Sequence, residues 1–178
     1  RLLLDKGAEV DRADKRGRTP LGIAKRNDHD AVVALLEEHL DSKFPLHAAA
    51  RTGDVDAMTQ LLEDSGKVDL ATGDGATPLF VACTNGHVDA ARLLLDRGAD
   101  VDKVGKNHVT PLSAAFAKGH VDAARLLLER GAEVDRRNKD GKTPLWIACC
   151  QGHLDAVRLL LERGADVEQV DKDGYTPL

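Results

Sequence analysis

Residues 74–106 read DGATPLFVACTNGHVDAARLLLDRGADVDKVGK, and most of the remaining chain is a variation on them. The triplet Thr-Pro-Leu begins at residues 77, 110, 143 and 176, a spacing of 33 each time. Gly86-His87 returns as Gly119-His120 and Gly152-His153. Gly98-Ala99 returns as Gly131-Ala132 and Gly164-Ala165. A unit this small cannot bury its own apolar face, so it folds only by stacking on its neighbours.

The local chemistry of the unit predicts a pair of helices. Thr before Pro suits an N-cap, because its hydroxyl can accept an orphan amide of the first turn. Pro at the first helical position gives up an N–H that had no helical partner. Gly86, nine residues after Thr77, ends the first helix where a left-handed residue is wanted. Val88, Ala91, Leu94 and Leu95 then place one apolar stripe on a second helix, which Gly98 closes. Gly-Ala-Asp-Val followed by Asp140-Gly141 or Asp173-Gly174 reads as a short hairpin with a tight turn.

A 33-residue period carrying Thr-Pro-Leu-x-x-Ala resembles the ankyrin repeat, and the resemblance covers essentially the whole chain. It implies a mainly α solenoid, a stack of helix–turn–helix units joined by short β-hairpins or loops. It also implies a concave groove, lined by hairpin tips and the exposed ends of the first helices, where partners bind. The chain departs from the pattern in one respect. The His of Thr-Pro-Leu-His survives only as His47, where Phe44 replaces the Thr; elsewhere the position holds Gly22, Phe80, Ser113 or Trp146. The Thr–His hydrogen bond of the family is therefore available in no unit. Gly105–Val109 (GKNHV) lacks Asp-Gly, so an irregular tip is expected there.

The period breaks once. Phe44-Pro45-Leu46-His47 opens a first helix 25 residues after Thr19, not 33, and the missing residues are those of the hairpin. Either helix runs directly to helix, or two arrays abut near Leu40–Lys43. The second reading is preferred, dividing the chain into 1–43 and 44–178. Arg1–Val10 matches Arg92–Val101, the second half of a unit, and Thr176-Pro177-Leu178 begins another. A fragment of a longer polypeptide is expected.

Aromatic residues are scarce, so the core must be built from Leu, Ala and Val. A net charge of −5 lacks the basic excess of a nucleic-acid binder. No apolar run approaches the roughly 20 residues of a membrane-spanning helix. Three cysteines, two of them adjacent, make no disulfide framework. An intracellular location is expected, cytoplasmic or nuclear, and no nucleic-acid or membrane partner. The oligomeric state stays open, with a monomer as the default.

Catalytic and metal chemistry find no support. His87, His120 and His153 are one repeat apart, several times a His–Zn bond length of roughly 2 Å, and read as structural hydrogen-bonding groups. Cys83 and Cys149 share a frame position with Ala50 and read as small core residues. Cys150 falls on an exposed position. Carboxylates recur with the repeat (Asp89, Asp122, Asp155), giving like, solvated environments and not the unlike pair that acid–base catalysis requires. No cofactor is expected.

What varies between units at fixed offsets points to binding. By frame, the groove positions begin with Lys15, Arg16, Arg18, Arg26 and Asn27, followed by Leu40, Asp41, Lys43, Arg51 and Thr52. Gly73, Asp74, Ala76, Thr84 and Asn85 come next, then Lys106, Asn107, Val109, Ala117 and Lys118. Lys139, Asp140, Lys142, Cys150 and Gln151 follow, and last Lys172, Asp173 and Tyr175. Formally these positions carry +7 in a chain of −5, leaving −12 elsewhere. A basic groove on an acidic body would steer an acidic peptide or protein face; solubility of the loop tips explains the same lysines equally well. Trp146 reads as packing. The expected function is a non-catalytic protein-interaction scaffold. The rival reading is a recognition or autoinhibitory arm of a larger enzyme.

Overall fold

The computed structural model describes residues 10–14 and 18–177. Arg1–Leu4, most of the Arg1–Val10 match, Lys15, Arg16 and Leu178 lie outside the described residues, as does the side chain of Lys106. Ten α-helices follow one another in pairs: α1 Pro20–Arg26 with α2 Asp30–Lys43, α3 Pro45–Thr52 with α4 Val55–Ser65, and α5 Pro78–Thr84 with α6 Val88–Asp96. Then come α7 Pro111–Ala117 with α8 Val121–Glu129, and α9 Pro144–Gln151 with α10 Leu154–Glu162. No β-strand occurs among the described residues.

The threonines cap as their position predicts. The hydroxyls of Thr19, Thr77, Thr110 and Thr143 accept the N–H groups of Gly22, Phe80, Ser113 and Trp146 at 3.1–3.2 Å. Each such cap contributes about 1 kcal/mol. Phe44 brings no oxygen to the same frame position, and α3 starts without a side-chain cap.

From α3 onward the first helices pack in one row (α3, α5, α7, α9) and the second helices in another (α4, α6, α8, α10). Between the rows lies a continuous core. Leu79, Leu112 and Leu145 from the first helices, and Leu94, Leu127 and Leu160 from the second, are fully buried at matching positions. Alanines such as Ala82, Ala91, Ala124 and Ala148 fill the space between them and let short helices approach closely.

The connecting segments keep the turn of a hairpin without its strands. Each closes on a backbone bond from an N–H to the carbonyl four residues on: Thr72 to Ala76, Gly105 to Val109, Asn138 to Lys142 and Asp171 to Tyr175, at 2.9–3.0 Å. A second bond returns to the first residue's carbonyl from Gly75, His108, Gly141 and Gly174, at 2.8–3.2 Å. Further backbone bonds run along the stack. The Lys139 N–H donates to the Asn107 carbonyl at 2.9 Å, and the Lys172 N–H to that of Asp140 at 3.1 Å. Deeper in the loops, the carboxylates of Asp69, Asp102 and Asp135 accept the amides of Asp100, Glu133 and Asp166 in the next unit. The tip without Asp-Gly is irregular as expected: Lys106–His108 form one 3₁₀ turn, with Asn107 and His108 both at positive φ.

At the period break, α2 runs to Lys43, Phe44 alone intervenes, and α3 starts at Pro45. Helix meets helix with no loop between. Val10, Ala24 and Leu36 form a small apolar cluster of their own, separate from the core that begins at Leu46. The α1 helix packs on α2 but does not make with α3 the contact that α3 makes with α5.

Candidate interaction surface

The loop tips and the C-terminal ends of the first helices form the surface on which the variable positions fall. Backbone bonds between tips bring Asn107 to Lys139 and Asp140 to Lys172. Lys118, Lys139, Asp140, Cys150, Gln151 and Asn85 are exposed; Asn107, Val109, Lys142, Thr84 and Asp74 are half-buried.

Several of these side chains are already engaged. The Thr84 hydroxyl donates to the Phe80 carbonyl at 2.7 Å and the Asn85 amide to the Val81 carbonyl at 2.8 Å, both back onto α5. Asp74 accepts the Thr72 hydroxyl at 2.6 Å. The Lys142 ammonium sits 3.5 Å from the centre of the Trp146 ring, a cation–π contact. Trp146 is half-buried, so its packing role includes this lysine as well as the helix stack.

The basic character is uneven along the surface. Toward the N-terminal end three cations are paired, Arg18 with Asp14, Lys43 with Asp11 and Arg51 with Asp41, whereas Arg26 is exposed and makes no ion pair with a described residue. Toward the C-terminal end Lys118, Lys139 and Lys172 are exposed and make no ion pair with a described residue. Of the described groove positions, the exposed cations without an ion pair are thus Arg26 in the first full unit and these three lysines on the last three.

The other chemistry-bearing residues are structural. His87 Nε2 meets the Arg51 carbonyl of the preceding unit at 2.9 Å, the hydrogen-bonding role expected of the recurring histidines, whereas the rings of His120 and His153 make no such bond among the described residues. Cys83 is fully buried, and burial pushes its thiol up to about 12. Cys149, at the same frame position, is only half-buried, and burial raises its thiol too; Cys150 is exposed. Among the described residues no group of three or more His, Cys, Asp or Glu gathers closely enough to hold a metal ion. No helix among them is long and apolar enough to cross a membrane.

Sequence reasoning did not find the feature at the period break. A cavity of about 160 Å³ opens there, lined by Val10 and Asp11 on one side and Thr72, Asp74 and Ala76 on the other, with Leu21, Leu40, Phe44 and His47 between. The 25-residue spacing marked the place but not its contents.

A family model for ankyrin repeats matches three times, over residues 1–71, 46–138 and 131–178. Together the matches span the chain, which belongs to the ankyrin-repeat family. None of the curated proteins matches it. Ankyrin repeats are generally protein–protein interaction modules and typically non-catalytic.

Proposed function

We propose that this chain is a non-catalytic scaffold that binds an acidic segment of a partner protein across the loop-tip surface of its last three units. The observation that carries this reading is the row of Lys118, Lys139 and Lys172, exposed and without an ion pair among the described residues. An ammonium left in solvent keeps its charge available for an incoming carboxylate, whereas Arg18, Lys43 and Arg51 have theirs offset internally. The rigid stack holds the row in place before binding, which limits the entropy lost on association. Asn107, Val109, Asp140, Lys142, Cys150 and Gln151 supply the contact surface around it, and Lys106 extends it by frame.

The test compares the native chain with a Lys118→Glu, Lys139→Glu, Lys172→Glu triple variant. Circular dichroism first establishes that both are folded. A glutamate-rich peptide is titrated into each, with Trp146 as the fluorescent reporter because Lys142 rests on its ring. The native chain is expected to bind, with affinity falling as salt is raised, and the variant to lose about tenfold or more in affinity. Equal affinity for both chains would remove the lysine row from the site.

A further inference from the structure

The loop missing before α3 leaves an opening in an otherwise regular row. In later units the tip amide (Lys139, Lys172) donates to a carbonyl of the preceding loop. Gly73 holds the same frame position and has no preceding loop to meet. Its N–H goes instead to the carboxylate of Asp11 at 3.1 Å, which Lys43 also holds at 2.8 Å. Asp11 thus bridges the gap at one point, and the cavity remains beside it.

The polar groups around the cavity are unequally satisfied. Asp11 has Lys43 and the Gly73 amide, Asp41 has Arg51, and Glu37 has Lys25 at 2.8 Å. Asp74 has only the Thr72 hydroxyl and no cation. His47, 93% buried by its exposure of 7%, places Nε2 at 3.0 Å from the Ala76 carbonyl, so Nε2 carries the proton. Its Nδ1 is then an acceptor, and it has no hydrogen-bond partner. Asp74, half-buried on the lining, is anionic and keeps acceptor capacity beyond the Thr72 hydroxyl, while Nδ1 is an acceptor closed off from solvent. Val10, Leu21, Leu40, Phe44 and Val81 give the rest of the lining an apolar character.

We propose that this cavity takes the side chain of a lysine presented by the partner protein, its methylene stem against the apolar wall and its ammonium on Asp74. An ammonium has three donors and no acceptor, which matches what the cavity lacks. Its compact head suits a small opening better than the planar fork of an arginine. The inference rests on the reading that the chain binds a protein, but not on the lysine row or the acidic segment. Burial lowers the His47 pKa from its ordinary 6.5, against the pull of the Ala76 and Leu70 carbonyls and the Asp74 charge, so the ring does not repel a cation at neutral pH.

The cavity can be probed without the partner. The chain, labelled with ¹⁵N, is titrated with N-acetyl-lysine N-methylamide, with the norleucine analogue that lacks the ammonium, and with the Nε-acetylated lysine analogue. The lysine compound is expected to shift the amide signals of Phe44, Thr72, Gly73 and Asp74, and the other two to bind about tenfold more weakly. Asp74→Asn should bring the lysine compound down to the level of norleucine at an unchanged melting temperature. Leu21→Phe, which narrows the cavity without touching a charge, should also abolish binding. Equal binding of the lysine and norleucine compounds would overturn the proposal, as would shifts confined to other loops or full binding by either variant. Such a failure would leave the glutamate-peptide titration of the lysine row unaffected, so the two readings fail separately.

Discussion

Gly86 follows α5 at φ 75°, in the left-handed region, and a Cβ added there would fall 2.6 Å from Nδ1 of His120 in the next unit. Gly53 stands in the same relation to His87, at 2.7 Å. The glycine and the histidine of successive units are therefore one packing feature, in which a ring lies where a methyl group would be. Gly98, at φ 87°, has the backbone demand alone, with nothing within 4 Å of its added Cβ. This separates the two costs. Gly98→Ala is expected to destabilise by about 1 kcal/mol through the backbone, and Gly86→Ala by about 2 kcal/mol or more. In a His120→Ala background the two should become alike. Urea denaturation of the four chains reads the difference; equal losses in the native background would show that the ring yields without cost. The glycines were legible as helix terminators because their offset from Thr is fixed. Their second duty was not, since it depends on a ring 34 residues away.

Among the elements, helix starts were the most legible, because Thr-Pro specifies both a cap acceptor and a helical φ without help from the rest of the molecule. The loops were less so. Strands were expected to flank the tight turns, yet these segments spend their backbone and carboxylate groups on the neighbouring unit, as Asp102 does on the Glu133 amide at 3.0 Å. That bond has a cost. The other carboxylate oxygen of Asp102 is buried without a partner. Burial raises the pKa above the ordinary 3.8, and the charges of Glu133 and Asp100 add to this, while the Glu133 amide and Arg136 oppose it. With the folded-state value above the unfolded one, the folded chain binds more protons in the window just above 3.8. Asp102 therefore makes stability fall as pH rises through that window. Asp102→Asn is expected to remove this decline and to be no less stable than the native chain at pH 7. Asp102→Ala, which leaves the Glu133 amide unmet, should lose about 1 kcal/mol. Urea midpoints at several pH values between 4 and 7 decide it; a native profile unchanged by Asp102→Asn would remove Asp102 as its source.

Across the whole molecule, the stack is continuous from α3 to α10, but its connection to α1 and α2 is thin. The small cluster of Val10, Ala24 and Leu36 stands apart from the main core. Among the described residues, the contacts that join the two include the α2–α3 contact across Phe44, the Arg51–Asp41 pair, and Asp11 with its two donors. The spacing of 25 residues showed that a loop was missing. It could not show what closes the gap, because Asp11 and Gly73 are 62 residues apart and meet only once the stack has formed. We propose that residues 1–43 act as a unit distinct from 44–178 and unfold first. A partly exposed ion pair contributes little, and a cluster of this size buries far less apolar surface than the main core. Trp146, the single tryptophan, sits in the array and reports its unfolding alone. In urea, circular dichroism should therefore begin to fall before Trp146 fluorescence changes, and amide exchange in α1 and α2 should be the first to lose protection. The junction should also respond to acid. Burial raises the pKa of Asp11, but the hydrogen bond and charge of Lys43, with the backbone amides, outweigh it and leave the folded-state value below 3.8. Its contribution is then complete above the ordinary carboxylate value and is lost as pH falls through the lower one. Acidification should widen the separation between the two transitions, and Asp11→Asn should advance the first without moving the second. Superimposable curves from both probes, at neutral and at acid pH, would show that the chain unfolds as one body and that the gap at Phe44 is mechanically closed.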